Sequence, residues 1–447
     1  LKQTHFNRNT LRMLFLGYIF IALAGAFILT LKGMHKNPIS FIDALFTSTS
    51  AISMTGLIVK NTANDFTFWG QFVILCLIKI GGFGYMGLGL FVYLLIRKKI
   101  GFSGKNLLKE SMIYPTMDGL LGFLKKVFLF VFIIELCGAI LLSLRFMLEM
   151  DIKHAVWSGI FHSISAFNNA GFSIFETGLM SYRQDIWINL VITSLIIIGG
   201  IGYFVLLEVY FFQKKRLATL SLHTKIVLTM TFTLIIFATL VIFLLEYNNI
   251  KSIGSFSLFD KILSSYFTAV NYRTAGFNTL DFSTFKDASL FFGSLFMVIG
   301  GSPGGTSGGI KVTTVAILLI YAYWTIRGGR IRIFKYELSQ DVISKAFVIS
   351  IGSSIYMILC VMLLSLLESD HPFLTLLFET SSAFATVGVS VGDGGTLSLS
   401  ALFGSESKLI IIIMMISGRI GIFAFLLSIF IQEKEKYIRY PEGKVYL

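Results

Sequence analysis

Eight stretches of this chain are apolar for long enough to cross about 30 Å of hydrocarbon as helices, near residues 11–31, 68–96, 121–148, 186–212, 224–246, 287–327, 342–367 and 406–431. Between the members of each successive pair lies a shorter apolar piece bounded by polar residues, at 42–53, 155–167, 258–271 and 373–385. These pieces are too short to span and are read as re-entrant half-helices. The order helix, half-helix, loop, helix recurs four times and divides the chain into units at 1–100, 101–216, 217–335 and 336–447. Two crossings per unit keep all the units in one orientation, so a single axis along the membrane normal can relate them. The pattern predicts an all-α integral membrane protein with eight transmembrane helices and four half-helices in a pseudo-fourfold arrangement.

Each half-helix leads into the same small motif, a glycine preceded ten residues earlier by an aromatic ring and eight earlier by a hydroxyl. The copies are Phe46, Ser48 and Gly56; Phe161, Ser163 and Gly171; Tyr266, Thr268 and Gly276; and Phe378, Thr380 and Gly388. A cation leaving water must exchange its hydration shell for fixed oxygens, which a ring of backbone carbonyls supplies without burying formal charge. Turning consecutive carbonyls toward an axis takes backbone conformations that glycine tolerates and other residues resist. The negative end of a half-helix dipole beneath such a ring also favours a cation. A lone glycine often does no more than end a helix. Four copies at identical offsets favour a selectivity filter made of Thr55 and Gly56; Asn169, Ala170 and Gly171; Thr274, Ala275 and Gly276; and Thr386, Val387 and Gly388. Side chains before the glycine differ between copies, as expected where the backbone coordinates. The hydroxyls at 48, 163, 268 and 380 are read as back-bonding within the half-helices rather than as ion ligands.

Composition agrees with the pattern: the 447 residues are 55% hydrophobic and only 14% charged, with mean hydropathy +0.80. No small-residue cleavage site follows the first apolar run, which is therefore read as a retained span. Most of the 37 Lys and Arg residues fall at the termini and in the segments joining the units, including Arg97, Lys98, Lys99, Lys214, Lys215, Arg327, Arg330 and Arg332. Both termini are accordingly expected in the cytoplasm and the four filter loops on the opposite side, which carries more acidic than basic residues. An acidic outer mouth concentrates cations. The net charge of +13 is explained by this topology and calls for no nucleic acid partner. The three cysteines lie inside apolar stretches and give neither a disulfide framework nor a metal-binding spacing.

The sixth span is interrupted by Gly300, Gly301, Ser302, Pro303, Gly304, Gly305, Thr306, Ser307, Gly308, Gly309, Ile310 and Lys311. Such a run cannot hold a helix, and at membrane depth it is tolerated only where protein covers it or a water-filled cavity adjoins it. It is read as marking the transport path, as broken spans usually do, with a passive kink as the alternative. Neither this run nor the glycine-rich stretch at 82–87 is a nucleotide site, since the first lacks P-loop spacing and the second lies in a span with no strand before it. Small residues at 82–87 are read instead as allowing close helix packing. Arg419 sits mid-span, where it is expected to face the interior and have a role, with pairing to a buried acid as the alternative. Lys79 and Glu135 are also deep in apolar runs, and Ser289 is placed on an outward-facing surface. No histidine, cysteine or carboxylate cluster makes a catalytic set, so an enzyme is not expected. The leading reading is a channel-like cation translocator, and the alternative is a cation-coupled secondary transporter, potassium/sodium or sodium-preferring, with the same fold. Parallel repeats argue against the latter, which more often uses inverted ones.

The runs SAFNNAGF at 165–172, TAGFNT at 274–279, SAFATVGV at 382–389 and GRIG at 418–421 closely resemble the Trk/Ktr/HKT superfamily of potassium transporters. Within it the chain, with its RYPEG tail at 439–443, is most similar to the KtrB membrane subunits of bacterial Ktr systems. The resemblance implies a potassium-channel-like arrangement of the four units, K+ as the transported ion, uptake across a bacterial plasma membrane and a homodimer of pore subunits. It also implies a cytosolic KtrA-like nucleotide-binding ring as regulator. The loop at 300–311 and Arg419 correspond to the family's gate. Gly56 favours potassium, because sodium-preferring plant relatives often carry serine there. Lys79 departs from the family pattern, which has glutamine at that position.

Overall fold

The computed structural model describes residues 8–84, 120–214, 219–392, 396–422 and 424–425. The basic segment around Arg97, Lys98 and Lys99, Lys215, the far end of the expected second span and the RYPEG tail lie outside them. The described chain is almost wholly helical. It begins with α1 (Arg8–Leu29), the short α2 (Phe41–Ser53) and α3 (Phe68–Gly82). Then come α4 (Leu120–Phe146), the short α5 (Ile152–Phe167), α6 (Ile186–Gly200) and α7 (Tyr203–Gln213). Next are α8 (Leu222–Glu246), the short α9 (Leu258–Asn271), α10 (Asp287–Met297) and α11 (Val312–Arg327). A two-stranded hairpin, β1 (Arg332–Ile333) and β2 (Tyr336–Glu337), leads to α12 (Gln340–Leu367), the short α13 (Phe373–Ala385) and α14 (Ser405–Ile420).

The short helices coincide with the expected half-helices and start on clear local signals. Ser40, Asp151 and Ser257 cap α2, α5 and α9 by accepting from the amides of Asp43, Lys153 and Asp260. Each short helix packs against the long helix before it, α1, α4, α8 or α12, and against the last inner helix of the preceding set, α14, α3, α6 or α10. The packing therefore closes in a ring. Phe46, Phe161 and Phe378 of the motif are fully buried in it, while Tyr266 is half-buried and reaches Thr193 Oγ1 at 3.3 Å. Outward faces carry Phe20, Phe132, Leu244, Ile358 and Leu366, all exposed, an apolar exterior suited to lipid. Cys76 and Cys137 lie on these exposed faces and only Cys360 is buried.

The spans are less regular than the apolar pattern predicts. Among the described residues three helices are long and apolar enough to cross a membrane, or four if α6 and α7 count as one span. The stretch at 186–212, read as one spanning helix, turns by 101° between α6 and α7. The cause is Gly202, whose φ is +93° and whose missing Cβ would lie 3.0 Å from the Pro303 carbonyl oxygen. α14 likewise stops at Gly421, with φ +94°. The run of the sixth span is divided into α10 and α11 by residues 300–311, as its glycines predict.

Inner and short helices meet at glycines. A Cβ on Gly81 would collide with the Ile52 carbonyl oxygen, one on Gly199 with that of Phe167, and one on Gly418 with that of Phe384. Backbone carbonyls in the last turn of a packed helix cannot step aside. Gly418→Ala should therefore destabilise the protein by about 1–3 kcal/mol, the cost of overpacking. Gly122→Ala, where a Cβ meets nothing within 4 Å, should not. Thermal unfolding in detergent, followed by size-exclusion chromatography of the surviving monodisperse protein, measures the difference.

Candidate functional site

The four motif glycines converge. Each loop leaves its short helix through a left-handed residue two positions before the glycine: Met54 (φ 60°), Asn169 (φ 56°), Thr274 (φ 72°) and Thr386 (φ 56°). The glycines follow with φ 88°, 70°, 78° and 91° at Gly56, Gly171, Gly276 and Gly388. Such alternation turns successive carbonyls toward one side, and non-glycine residues hold it only when their surroundings enforce it. Hydrogen bonds enforce it here. Ser50 Oγ accepts from the Gly56 amide at 3.1 Å and Ser382 Oγ from the Gly388 amide at 3.0 Å. Ser165 Oγ donates to the Phe172 carbonyl at 2.8 Å. In the third loop Asn271 takes the serine's place, exchanging bonds of 2.6 and 2.9 Å with the backbone of Phe277.

The ring is read directly from what surrounds each glycine. A Cβ on Gly56 would lie 2.7 Å from the Ala170 carbonyl oxygen, one on Gly171 2.9 Å from that of Ala275, and one on Gly276 2.8 Å from that of Val387. A Cβ on Gly388 would collide with the carbonyl oxygen of Thr55, which completes the circuit. The carbonyl oxygens of Thr55, Ala170, Ala275 and Val387 thus each lie against the glycine of a neighbouring loop, so the four loops meet in a closed circuit with no formal charge among them. Outside the ring a small mouth is lined by Asn61, Ser173, Glu176 and Ser390.

Residues 300–311 lie against the inner side of these loops. The Gly308 amide donates to Thr386 Oγ1 at 2.9 Å, and a Cβ on Gly309 would lie 3.2 Å from Ala385 Cβ. On its other flank the loop joins the bend between α6 and α7: Ser302 N donates to the Gly200 carbonyl at 3.0 Å and Tyr203 N to that of Gly304 at 3.2 Å. Lys311 Nζ turns back onto the Ser307 carbonyl at 2.5 Å. Arg419 is buried and donates to the Thr306 carbonyl and, at 2.8 Å, to the Gly81 carbonyl. Its hydrogen-bond partners are thus loop and helix-end carbonyls rather than a carboxylate. Gly300, Gly301, Ser302, Thr306, Ser307, Gly308 and Gly309 are buried, while Pro303, Gly304, Gly305 and Lys311 are half-buried.

Two expectations need correction. Ser48 and Ser163 do not back-bond within their helices but donate across to the carbonyls of Ala22 and Glu135, at 2.8 and 2.6 Å. Gly25 and Gly138 make room for them. Only Thr268 and Thr380 back-bond as expected. Ser289 does not face outward but is buried against Glu246, whose carboxylate also collects the Lys286 amide and the Asn249 side chain at the end of α8. Lys79 and Glu135 are brought together as an ion pair. A signal missed in the sequence joins the parts: GGFG at 81–84, GGIG at 199–202 and GRIG at 418–421 all end inner helices at a positive-φ glycine. Arg419 stands where the other two copies have Gly82 and Gly200.

Residues 7–440 match the TrkH family, described as cation transport protein. Ktr system potassium uptake protein B of Bacillus subtilis (strain 168) is 41% identical over 436 residues, covering 97% of this chain and 96% of that protein. Its namesake from Vibrio alginolyticus is 34% identical, over 97% of this chain and 94% of that one. The potassium/sodium uptake protein NtpJ of Enterococcus hirae is 31% identical, over 100% and 99%. The crystal structure of the potassium transporter TrkH from Vibrio parahaemolyticus superposes with a TM-score of 0.77 at 19% identity, over 96% of this chain and 86% of that one, which shows a shared fold. With a family match over nearly its whole length and relatives this similar, the chain belongs to the TrkH family of cation transport proteins and is a membrane protein.

Proposed function

We propose that this protein takes up potassium ions by passing them, dehydrated, through the ring of carbonyls at Thr55, Ala170, Ala275 and Val387. The observation that carries the reading is the mutual approach of Gly56, Gly171, Gly276 and Gly388, each without room for a Cβ. Neutral oxygens on a closed ring replace the hydration of a monovalent cation without trapping it. Relatives named for potassium uptake support the choice of ion. The units at 1–100, 101–216, 217–335 and 336–447 act as four helix, pore loop, helix repeats of one channel-like body. An inward-negative potential supplies about 2.3 kcal/mol per charge per 100 mV, enough to drive uptake.

Residues 300–311 are the gate in this reading. Their bonds to Thr386 on one side and to the α6–α7 bend on the other hold the loop under the ring, and Arg419 adds both a tether and a positive barrier. Opening requires the loop to leave these partners. A cytosolic nucleotide-binding ring of the KtrA type supplies that work, acting on a homodimer of pore subunits from the basic cytoplasmic side of the plasma membrane.

Gly56→Ser should lower the ratio of potassium to sodium uptake in liposomes of purified protein, whereas Gly404→Ser, at an exposed helix start with φ −63°, should leave it unchanged. An unaltered ratio in the Gly56 variant would remove the ring reading. Deleting 304–308, or Arg419→Ala, should raise rubidium flux per folded protein and make it less dependent on the cytosolic partner. Equal, partner-dependent flux in both variants and wild type would make the loop a passive kink. Reversing Arg327, Arg330 and Arg332 to glutamate should weaken co-purification with the ring in a salt-sensitive manner, since all three side chains are exposed beside the hairpin. Undiminished, salt-insensitive binding would assign docking to other surfaces.

A further inference from the structure

The Lys79–Glu135 pair is joined to the ring through a short chain of bonds. Lys79 lies near the end of α3, and Glu135, on α4, is buried. One carboxylate oxygen, Oε2, meets Lys79. The other, Oε1, accepts from Asn168 Nδ2 at 2.9 Å. Asn168 is the residue immediately before left-handed Asn169, where the second loop turns toward the axis. Its amide nitrogen also donates to the Ile164 carbonyl at 2.8 Å, so both of its protons are used and the plane of the side chain is set. Asn169 in turn donates to Thr274 Oγ1 of the third loop at 3.2 Å. The same end of α3 is held from the gate side, where the Gly81 carbonyl accepts from Arg419 and that of Gly82 from Tyr203 Oη at 2.9 Å.

The positions equivalent to Asn168 in the other loops are Ser53, Arg273 and Ala385. Ser53 bonds locally to Thr55, Arg273 reaches Thr231 on α8 at 3.4 Å, and Ala385 has no polar side chain. Among them Asn168 leans on a carboxylate. A buried carboxylate is tolerated when its charge is compensated and its lone pairs are taken, and it then fixes its donors in a single geometry.

We infer that Glu135 is a positioning residue for the second filter loop. Its carboxylate, compensated by Lys79 across the seam between the first two units, sets Asn168 and thereby the direction of the carbonyls that follow, and so governs how strictly the ring separates potassium from sodium. The inference rests on reading the four loops as the filter. A competing role is simple bracing of α3 against α4, in which any ion pair at these positions would serve.

The two roles separate in paired substitutions of the full-length protein, assayed as the ratio of potassium to sodium flux in liposomes per folded protein. Lys79→Glu combined with Glu135→Lys keeps an ion pair but sets an ammonium, which only donates, against the Asn168 amide. The ratio should fall about fivefold or more. Lys79→Gln combined with Glu135→Gln removes the charges but keeps an acceptor for Asn168, and should hold the ratio within about twofold of wild type. Lys79→Leu combined with Glu135→Leu removes acceptor and charge together and serves where the swapped pair does not fold; it should lose selectivity as the swap does. Full selectivity in the swapped or leucine pair, or equal loss in the glutamine pair, would overturn the inference. Gly56→Ser is run alongside. A ratio altered there but not in the swapped or leucine pair removes this inference alone, whereas a ratio unaltered there removes the ring reading beneath it.

Discussion

Four backbone segments meet at one axis only if none of them carries a side chain where they touch, and this exclusion at Gly56, Gly171, Gly276 and Gly388 constrains the rest of the molecule. Loops this close need left-handed turns before each glycine, and left-handed Met54, Asn169, Thr274 and Thr386 need neighbours that hold them. The short helices supply those neighbours from their last turns, through Ser50, Ser165, Asn271 and Ser382. To deliver them the short helices must point inward at a common depth. Ring-like packing of each short helix between two longer ones achieves this, and it closes tightly because Gly81, Gly199 and Gly418 let the inner helices ride directly on backbone carbonyls.

The same requirement explains why the inner helices stop where they do. A straight helix running past the ends of the short helices would leave no space for anything beneath the loops. Positive-φ glycines at 202 and 421 end two of them, and residues 300–311 replace a third. The freed carbonyls at Gly81, Gly199 and Gly200 do not remain unpaired: Arg419, Thr306 and Ser302 donate to them. Backbone that would be intolerable against lipid is tolerated here because protein covers most of it. The loop is therefore held by a few bonds that are replaceable by water, a condition any moving part must meet.

Much of this was legible in the sequence because it depends on glycine and on length. The half-helices expected at 42–53 and 373–385 are found at Phe41–Ser53 and Phe373–Ala385, since a short apolar piece bounded by polar residues leaves few alternatives. The break at 300–311 was equally plain. The bend after Gly200 was not, because a glycine pair within an apolar run reads equally well as a packing surface, and Gly199 does serve as one. Hydroxyl partners were legible by half. Thr268 shares the helical carbonyl four residues back, while Ser48 and Ser163 have a glycine on the neighbouring helix that lets a closer acceptor in. Ser289 was misplaced because hydropathy does not register a carboxylate that comes from elsewhere in the fold, here Glu246. Local pattern predicts elements well, and it fails where the partner lies far along the chain.

Joining four units in one chain has a physical consequence that identical subunits cannot reproduce. A symmetric tetramer repeats every substitution four times, so one buried charge becomes four that repel each other at the axis. Here each departure occurs in a single unit: the long interruption at 300–311, the arginine at 419 where other copies have glycine, and the Lys79–Glu135 pair at one seam. Arg419 is sustainable because it occurs once and donates to the carbonyls of Thr306 and Gly81, while the equivalent positions, Gly82 and Gly200, add no charge. The meeting of the four loops needs near-equivalence among the units, and the gate proposed at 300–311 needs difference. A single chain satisfies both by keeping the glycine positions alike and varying only what stands behind them.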